Sequence, residues 1–109
     1  MNAIATAKVG EPALKDLGSC LTALGDPTRQ QIMMLLSRQR LNVGELAERF
    51  HLSRPAISHQ IKVLLHAGLL IQEREGRERV YRVDTARCRG FVERLQSFIN
   101  TCCSGKACC

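Results

Sequence analysis

Aromatic residues are scarce in this 109-residue chain, which has no Trp, one Tyr and three Phe, 4% in all. A core must therefore be mainly aliphatic, and at 45% apolar residues the chain has enough to build one. That share is too high for a disordered polymer. Acidic residues are also few: ten Asp and Glu face sixteen Lys and Arg, giving a net charge of +6 and a pI near 9.3. No long apolar run exists. The longest uncharged apolar stretch, Val63 to Gln72, is far short of the roughly 20 residues a membrane span needs. Residues 1–19 carry Lys8, Glu11, Lys15 and Asp16 where a secretory signal would have to be apolar. Neither an internal repeat nor an inter-domain linker is visible, and 12.1 kDa allows one compact domain. So small a chain suits a binding or sensing module better than an enzyme with a large cleft.

Cysteine is what the chain has in excess, with six. An even count in a short chain usually signals a secreted disulfide scaffold. The spacing argues otherwise. Cys102, Cys103, Cys108 and Cys109 fall in the last eight residues, with Cys20 and Cys88 apart. Bridges inside such a tail would close almost no loop, and a disulfide stabilises most when the loop is long. There is also no Cys-x-x-Cys motif and no base beside the thiols, which disfavours a small thiol reductase. A reduced cytoplasmic setting is expected, where clustered cysteines bind metals or react.

Periodicity divides the chain into a lead-in (1–12), one folded domain (13–101) and a cysteine-rich tail (102–109). Leu14, Leu17, Leu21 and Leu24 fall three and four apart, the stripe of an amphipathic helix that Gly25 ends. Asp26 can cap a second helix, with Pro27 in its first position and Ile32, Leu35 and Leu36 inward. Leu41-Asn42-Val43 reads as a short strand, and Glu45 to Phe50 as a short helix with Leu46, Ala47 and Phe50 buried. After a turn at His51-Leu52, Ser53 caps a helix whose inner side is Ile57, Ile61, Leu64 and Leu65; Gly68 stops it. Leu69–Arg74 and Arg79–Val83 form a hairpin around Glu75-Gly76-Arg77-Glu78. A last helix runs from about Thr85 to Asn100 or slightly beyond, striped by Cys88, Phe91, Val92, Leu95, Phe98, Ile99 and, one step on, Cys102.

Two short helices, a tight turn and a basic hairpin describe a mainly α, winged helix-turn-helix with a two-stranded wing. In that motif the second helix enters the major groove of DNA. With its apolar side inward, Arg54, Pro55, Ser58, His59 and Lys62 fall on the opposite side. Arg and Lys suit phosphate or guanine, and Ser and His hydrogen-bond to phosphate or base. The hairpin adds Arg74, Arg77, Arg79 and Arg82, a density that fits a wing on the DNA backbone. Residues 54–89 hold eight Lys and Arg against four Asp and Glu, so this third carries most of the net charge. A merely solvated charged face would not explain why capping, period and charge agree.

The segments Ala23-Leu24-Gly25-Asp26-Pro27-Thr28-Arg29, Val43-Gly44-Glu45-Leu46-Ala47 and Leu52 to Leu64 closely resemble the ArsR/SmtB family. So do Ala67-Gly68-Leu69-Leu70, Glu75-Gly76-Arg77 and Val80-Tyr81-Arg82, so that the likeness covers roughly residues 20–84. Family members are homodimeric bacterial repressors that leave their operator when a metal, metalloid or sulfur species binds cysteine or histidine sites. The resemblance implies that Ser53, Arg54, Ala56, Ser58 and His59 lead the recognition helix into the groove. It also implies a homodimer through the first and last helices, with Leu14, Leu17, Leu21, Phe91, Leu95, Phe98 and Ile99 at the interface.

Two familiar sensing sites of that family are missing. Arsenic and cadmium sensors often carry a cysteine pair on the helix before the recognition helix, where this chain reads Asn42-Val43-Gly44-Glu45-Leu46. Zinc sensors use Asp and His early in the last helix and His and Glu late; here Asp84 is followed by Ala86, Ser97 and Asn100. What remains is the tail. Thiolates favour soft acceptors: three suit As(III) or Sb(III), and four suit Zn or Cd. Some arsenite-responsive relatives place a cysteine pair and a third, later cysteine near the C-terminus. That pattern favours Cys102, Cys103 and either Cys108 or Cys109, the latter slightly ahead. A redox or persulfide sensor, or a Cd-, Zn- or Hg-responsive repressor, is the alternative within the same family. Cys20 and Cys88, on or beside apolar faces, read as packing residues.

Overall fold

Four of the helices begin at a residue whose side chain accepts a hydrogen bond from the helix's own first turn. The computed structural model describes residues 17–104. In it α1 covers residues 17–24, α2 Pro27–Leu36, α3 Val43–Phe50, α4 Arg54–His66 and α5 Thr85–Cys102; the strands are β1 Leu70–Glu75 and β2 Glu78–Val83. Asp26 accepts from Arg29 N at 3.1 Å, Asn42 from Glu45 N at 2.7 Å, Ser53 from Ala56 N at 3.2 Å and Asp84 from Arg87 N at 3.1 Å. Each bond satisfies a backbone donor that a helix cannot pair internally. Pro27 and Pro55 sit in the first turns of α2 and α4, as their positions in the sequence predict.

Helix ends are equally local. His51 takes a left-handed conformation (φ 54°, ψ 41°) after α3, turning the chain within three residues into α4. Gly68, at φ 80°, closes α4: Gly68 N donates to Leu65 O at 2.9 Å and Leu69 N to Leu64 O at 3.0 Å. This double bond pattern needs a left-handed residue that glycine adopts without strain. It also brings Leu69 over Leu64, and both are fully buried.

The fold is mainly α, a winged helix-turn-helix with a two-stranded antiparallel wing. Ile32 from α2, Leu46 from α3, and Ile57, Ile61 and Leu64 from α4 fill its center with Leu69. Each such side chain contributes roughly 1.5–3 kcal/mol on burial. Leu41, Leu70 and Tyr81 close the core on the wing side, and Leu17, Cys20, Ala23 and Phe91 on the α1 and α5 side.

Three expectations change. Leu41-Asn42-Val43 is not a strand. Leu41 alone makes an isolated bridge to Tyr81, because the Asn42 side chain caps α3 and Val43 already starts it. The hairpin pairs one residue further at each side of its tip, with Glu75 opposite Glu78 and only Gly76-Arg77 between. Residues Leu17, Cys20 and Ala23 form the buried side of α1, and Leu21 is exposed. The last helix, α5, ends slightly beyond Asn100, at Cys102, as its stripe predicts. Leu14, Cys108 and Cys109 lie outside the described residues.

Candidate nucleic-acid interface and thiol site

The α3–α4 turn pins the recognition helix by its apolar side, so its polar side faces outward. Arg54, Pro55, His59 and Lys62 are exposed, and Ala56 and Ser58 are half-buried at the margin; Ser53 is the exposed cap. Arg54 and Ser58 share one open groove of about 560 Å³ with the wing residues Arg74, Arg77 and Arg79. His59 and Lys62 are not among that groove's lining residues. The remaining walls are Asn42, Val43, Gly44, Glu78 and Tyr81. Four guanidinium groups around one groove give a strong positive field beside a helix whose leading side chains are free to touch a ligand.

Several residues that shape this region escape a reading by motif. Gly44 is one: a Cβ there would lie 2.7 Å from Arg54 Nη2, so glycine leaves the room the guanidinium occupies. Asn42 and Glu45 form a reciprocal capping box, Glu45 Oε1 accepting from Asn42 N at 2.9 Å. The Asn-x-x-Glu spacing is the sequence signal for it. Arg29 is another. Its guanidinium donates to Ala23 O at 2.7 Å, Thr22 O at 3.3 Å and Gln60 Oε1 at 2.7 Å. A cation thus sits on the carbonyl end of α1 and reaches the recognition helix. Glu73 accepts from Arg82 at 3.0 Å and Arg40 at 3.3 Å, and these guanidiniums hold its carboxyl below the ordinary glutamate range.

At the opposite side the apolar stripe of α5 divides. Phe91 is 7% exposed and, with Leu17 at 4%, packs in the protomer's own core. Leu95 is half-buried against that core. Leu21, Val92, Phe98 and Ile99 are 41–57% exposed, large apolar side chains with their faces in water. Cys102 is the exposed last residue of α5. Cys103, half-buried, has left the helix (φ −100°, ψ 18°), although its N–H still donates to Ile99 O at 2.8 Å. The two adjacent thiols are therefore not both fixed in a regular helix. Among the described residues no three His, Cys, Asp or Glu gather as a metal site.

Cys20 and Cys88 take different surroundings. Cys20 is buried with its thiol 3.5 Å from Ala67 O; the Cys88 thiol lies 4.0 Å from Leu69 O. Burial, then the Asp84 carboxylate and the Cys20 thiol, push the Cys88 pKa up, so it stays a protonated, poorly nucleophilic thiol. Among the described residues no helix is long and apolar enough to cross a membrane.

A capped helix-turn-helix with an arginine-lined wing groove defines a DNA-binding transcriptional regulator. The chain belongs to the ArsR family of bacterial regulatory proteins, whose model matches residues 26–72. It is similar to the transcriptional repressor SdpR of Bacillus subtilis (strain 168), 31% identical over 77% of this chain and 93% of that protein. It is also similar to the arsenical resistance operon repressor of Staphylococcus xylosus, 32% identical over 86% of this chain and 89% of that one. The homodimeric winged helix-turn-helix DNA-binding domain (fragment 1-100) from Mycobacterium bovis superposes with a TM-score of 0.67, 26% identity, and coverage of 80% and 83%. The protein is thus a winged helix-turn-helix transcriptional repressor of the ArsR family, a class of DNA-binding regulators and not of enzymes.

Proposed function

We propose that the protein is a cytoplasmic homodimer that represses a metalloid-resistance operon, and releases its double-stranded operator when As(III), or Sb(III), binds the tail cysteines. The carrying observation is one groove in which the leading residues of α4 meet three wing arginines. Ser53, Arg54, Pro55, Ala56, Ser58, His59 and Lys62 enter the major groove, and Arg74, Arg77 and Arg79 hold the flanking phosphates. Two copies join through the exposed Leu21, Phe98 and Ile99, with Val92 and Leu95 beside them. The homodimeric neighbor supports this reading for that protein's domain.

The inducer site rests on donor chemistry. Cys102 and Cys103 supply adjacent thiolates at a helix end, Cys108 or Cys109 the third. A relative that represses an arsenical resistance operon supports the choice of a trivalent metalloid. Cys102 lies three and four residues beyond Ile99 and Phe98, on the same side of α5. Drawing Cys102 and Cys103 together bends the last turn of α5 and so disturbs the dimer face. Reorienting the two wings then weakens their joint fit to two half-sites. A coupling of about 1–3 kcal/mol lowers operator affinity roughly 5- to 150-fold.

Titrating As(III) against the protein bound to a labelled operator duplex tests this. Release in that range is expected, with Cys102→Ser and Cys103→Ser binding DNA normally but not responding. Protons should be released on binding, because a thiol must give up its proton to bind as thiolate. Serine variants that respond like the wild type would sink the proposed site.

A further inference from the structure

Three consecutive residues between α2 and α3 each grip the wing. Arg40 pairs with Glu73 at 3.3 Å and Glu75 at 2.9 Å on β1. Leu41 exchanges backbone hydrogen bonds with Tyr81 on β2, at 2.9 and 3.3 Å. Asn42 Nδ2 donates to Glu78 Oε1 at the base of the hairpin tip. The same Asn42 side chain accepts from Glu45 N, so its oxygen caps α3 while its nitrogen holds the wing. An amide can do both at once from two separate atoms, whereas Asp has no donor and Ser has one oxygen too short to span the cap and the wing.

Glu78 is out of place on electrostatic grounds. It lines the groove together with Arg54, Arg74, Arg77 and Arg79, where a carboxylate repels the phosphates that those arginines attract. Among the described residues its carboxylate accepts from Asn42, which is fixed by the capping box to the helix preceding the recognition helix. We propose that residues 40–42 are a latch that sets the wing's distance from Arg54, with Asn42 and Glu78 as positioning residues for DNA binding. This rests on the DNA-binding reading above and adds two residues to it that themselves need not touch DNA. The latch orders the hairpin before DNA arrives, so the wing arginines meet phosphate without a further loss of conformational freedom.

Charge and position predict opposite signs. Removing a carboxylate from a DNA groove should tighten binding if charge alone matters; removing the latch should weaken it. Glu78→Ala removes both charge and acceptor, whereas Glu78→Gln removes the charge and keeps an acceptor for Asn42. Asn42→Ser keeps a capping oxygen but is too short to reach Glu78. The probe is a 30-base-pair duplex enriched by the wild-type protein from a random library, with affinity measured over a range of salt. Glu78→Ala and Asn42→Ser should each bind about 3- to 10-fold more weakly with a flatter salt slope. Their double variant should be no worse than either alone. Glu78→Gln should match or exceed the wild type. Without DNA, the NMR order parameter of the Arg77 amide should fall in Glu78→Ala and not in Glu78→Gln.

An unchanged order parameter in Glu78→Ala overturns the latch whatever the protein binds. Glu78→Ala binding at least as tightly as Glu78→Gln overturns its role in positioning. A wild-type protein that enriches no duplex overturns the DNA-binding reading itself, a failure distinct from both.

Discussion

The wing end of the molecule and the α1–α5 end treat their exposed groups in opposite ways. Around the wing, Arg40, Asn42, Glu73, Glu75, Glu78 and Arg82 are engaged with one another although several are exposed. Leu21, Val92, Phe98 and Ile99, by contrast, offer water a surface that it solvates poorly. Exposed polar contacts add little to stability one by one, so a set of them at one place points to placement of side chains. Exposed large apolar groups in a row point to a partner. One end holds its polar groups in a fixed geometry and the other leaves an apolar face open, with Cys102 at the end of the same helix.

The difference can be broken first at the core both ends share. Ile57→Ala, under the recognition helix, should cost about 2–5 kcal/mol in denaturant unfolding, because no water reaches that site to fill the gap. Phe98→Glu should act next. Replacing a large interface side chain commonly costs about 2 kcal/mol or more of association. Sedimentation should then show a monomer with native helix content and weak operator binding; a stable dimer would refute the proposed interface.

Gly44→Ala sharpens the contrast at the other end. The clash falls on the far end of Arg54, a flexible side chain, and alanine favours a helix by up to about 1 kcal/mol over glycine. Thermal stability should hold or rise slightly while DNA affinity falls about threefold, a phosphate-sized contact weakened without unfolding. The smallest effect concerns pH. The folded pKa of Glu73 lies below its ordinary value of 4.5. Its contribution is therefore complete above that value and is lost as pH falls through the lower, folded one. Wing amides should exchange faster in that acid window, and Glu73→Gln should remove the pH dependence.

Much of the fold was legible because its signals are local. Asp26, Ser53, Pro27, Pro55 and Gly68 punctuate helices within four residues of themselves, and the structure uses each as the sequence predicts. Leu41-Asn42-Val43 misled because its alternation is compatible with a strand, while the capping box that wins is spread from Asn42 to Glu45. Leucines three and four apart mark an apolar stripe on α1, but the narrow core contact there is filled by Leu17, Cys20 and Ala23. The outward face of α4 and the basic hairpin were legible from period and charge. Gly44 beneath Arg54 was not, since nothing within either motif refers to the other.

What the sequence determined by itself is everything that depends on neighbours in the chain. That includes the caps, the periods, the basic hairpin, the lack of aromatic bulk and the crowding of thiols at one end. Tertiary structure alone decided which apolar side chains stay exposed and where the wing stands relative to Arg54. The physical reason is range. A cap or a turn is settled by atoms a few bonds apart, whereas Asn42 meets Glu78 across 36 residues only after the core has closed.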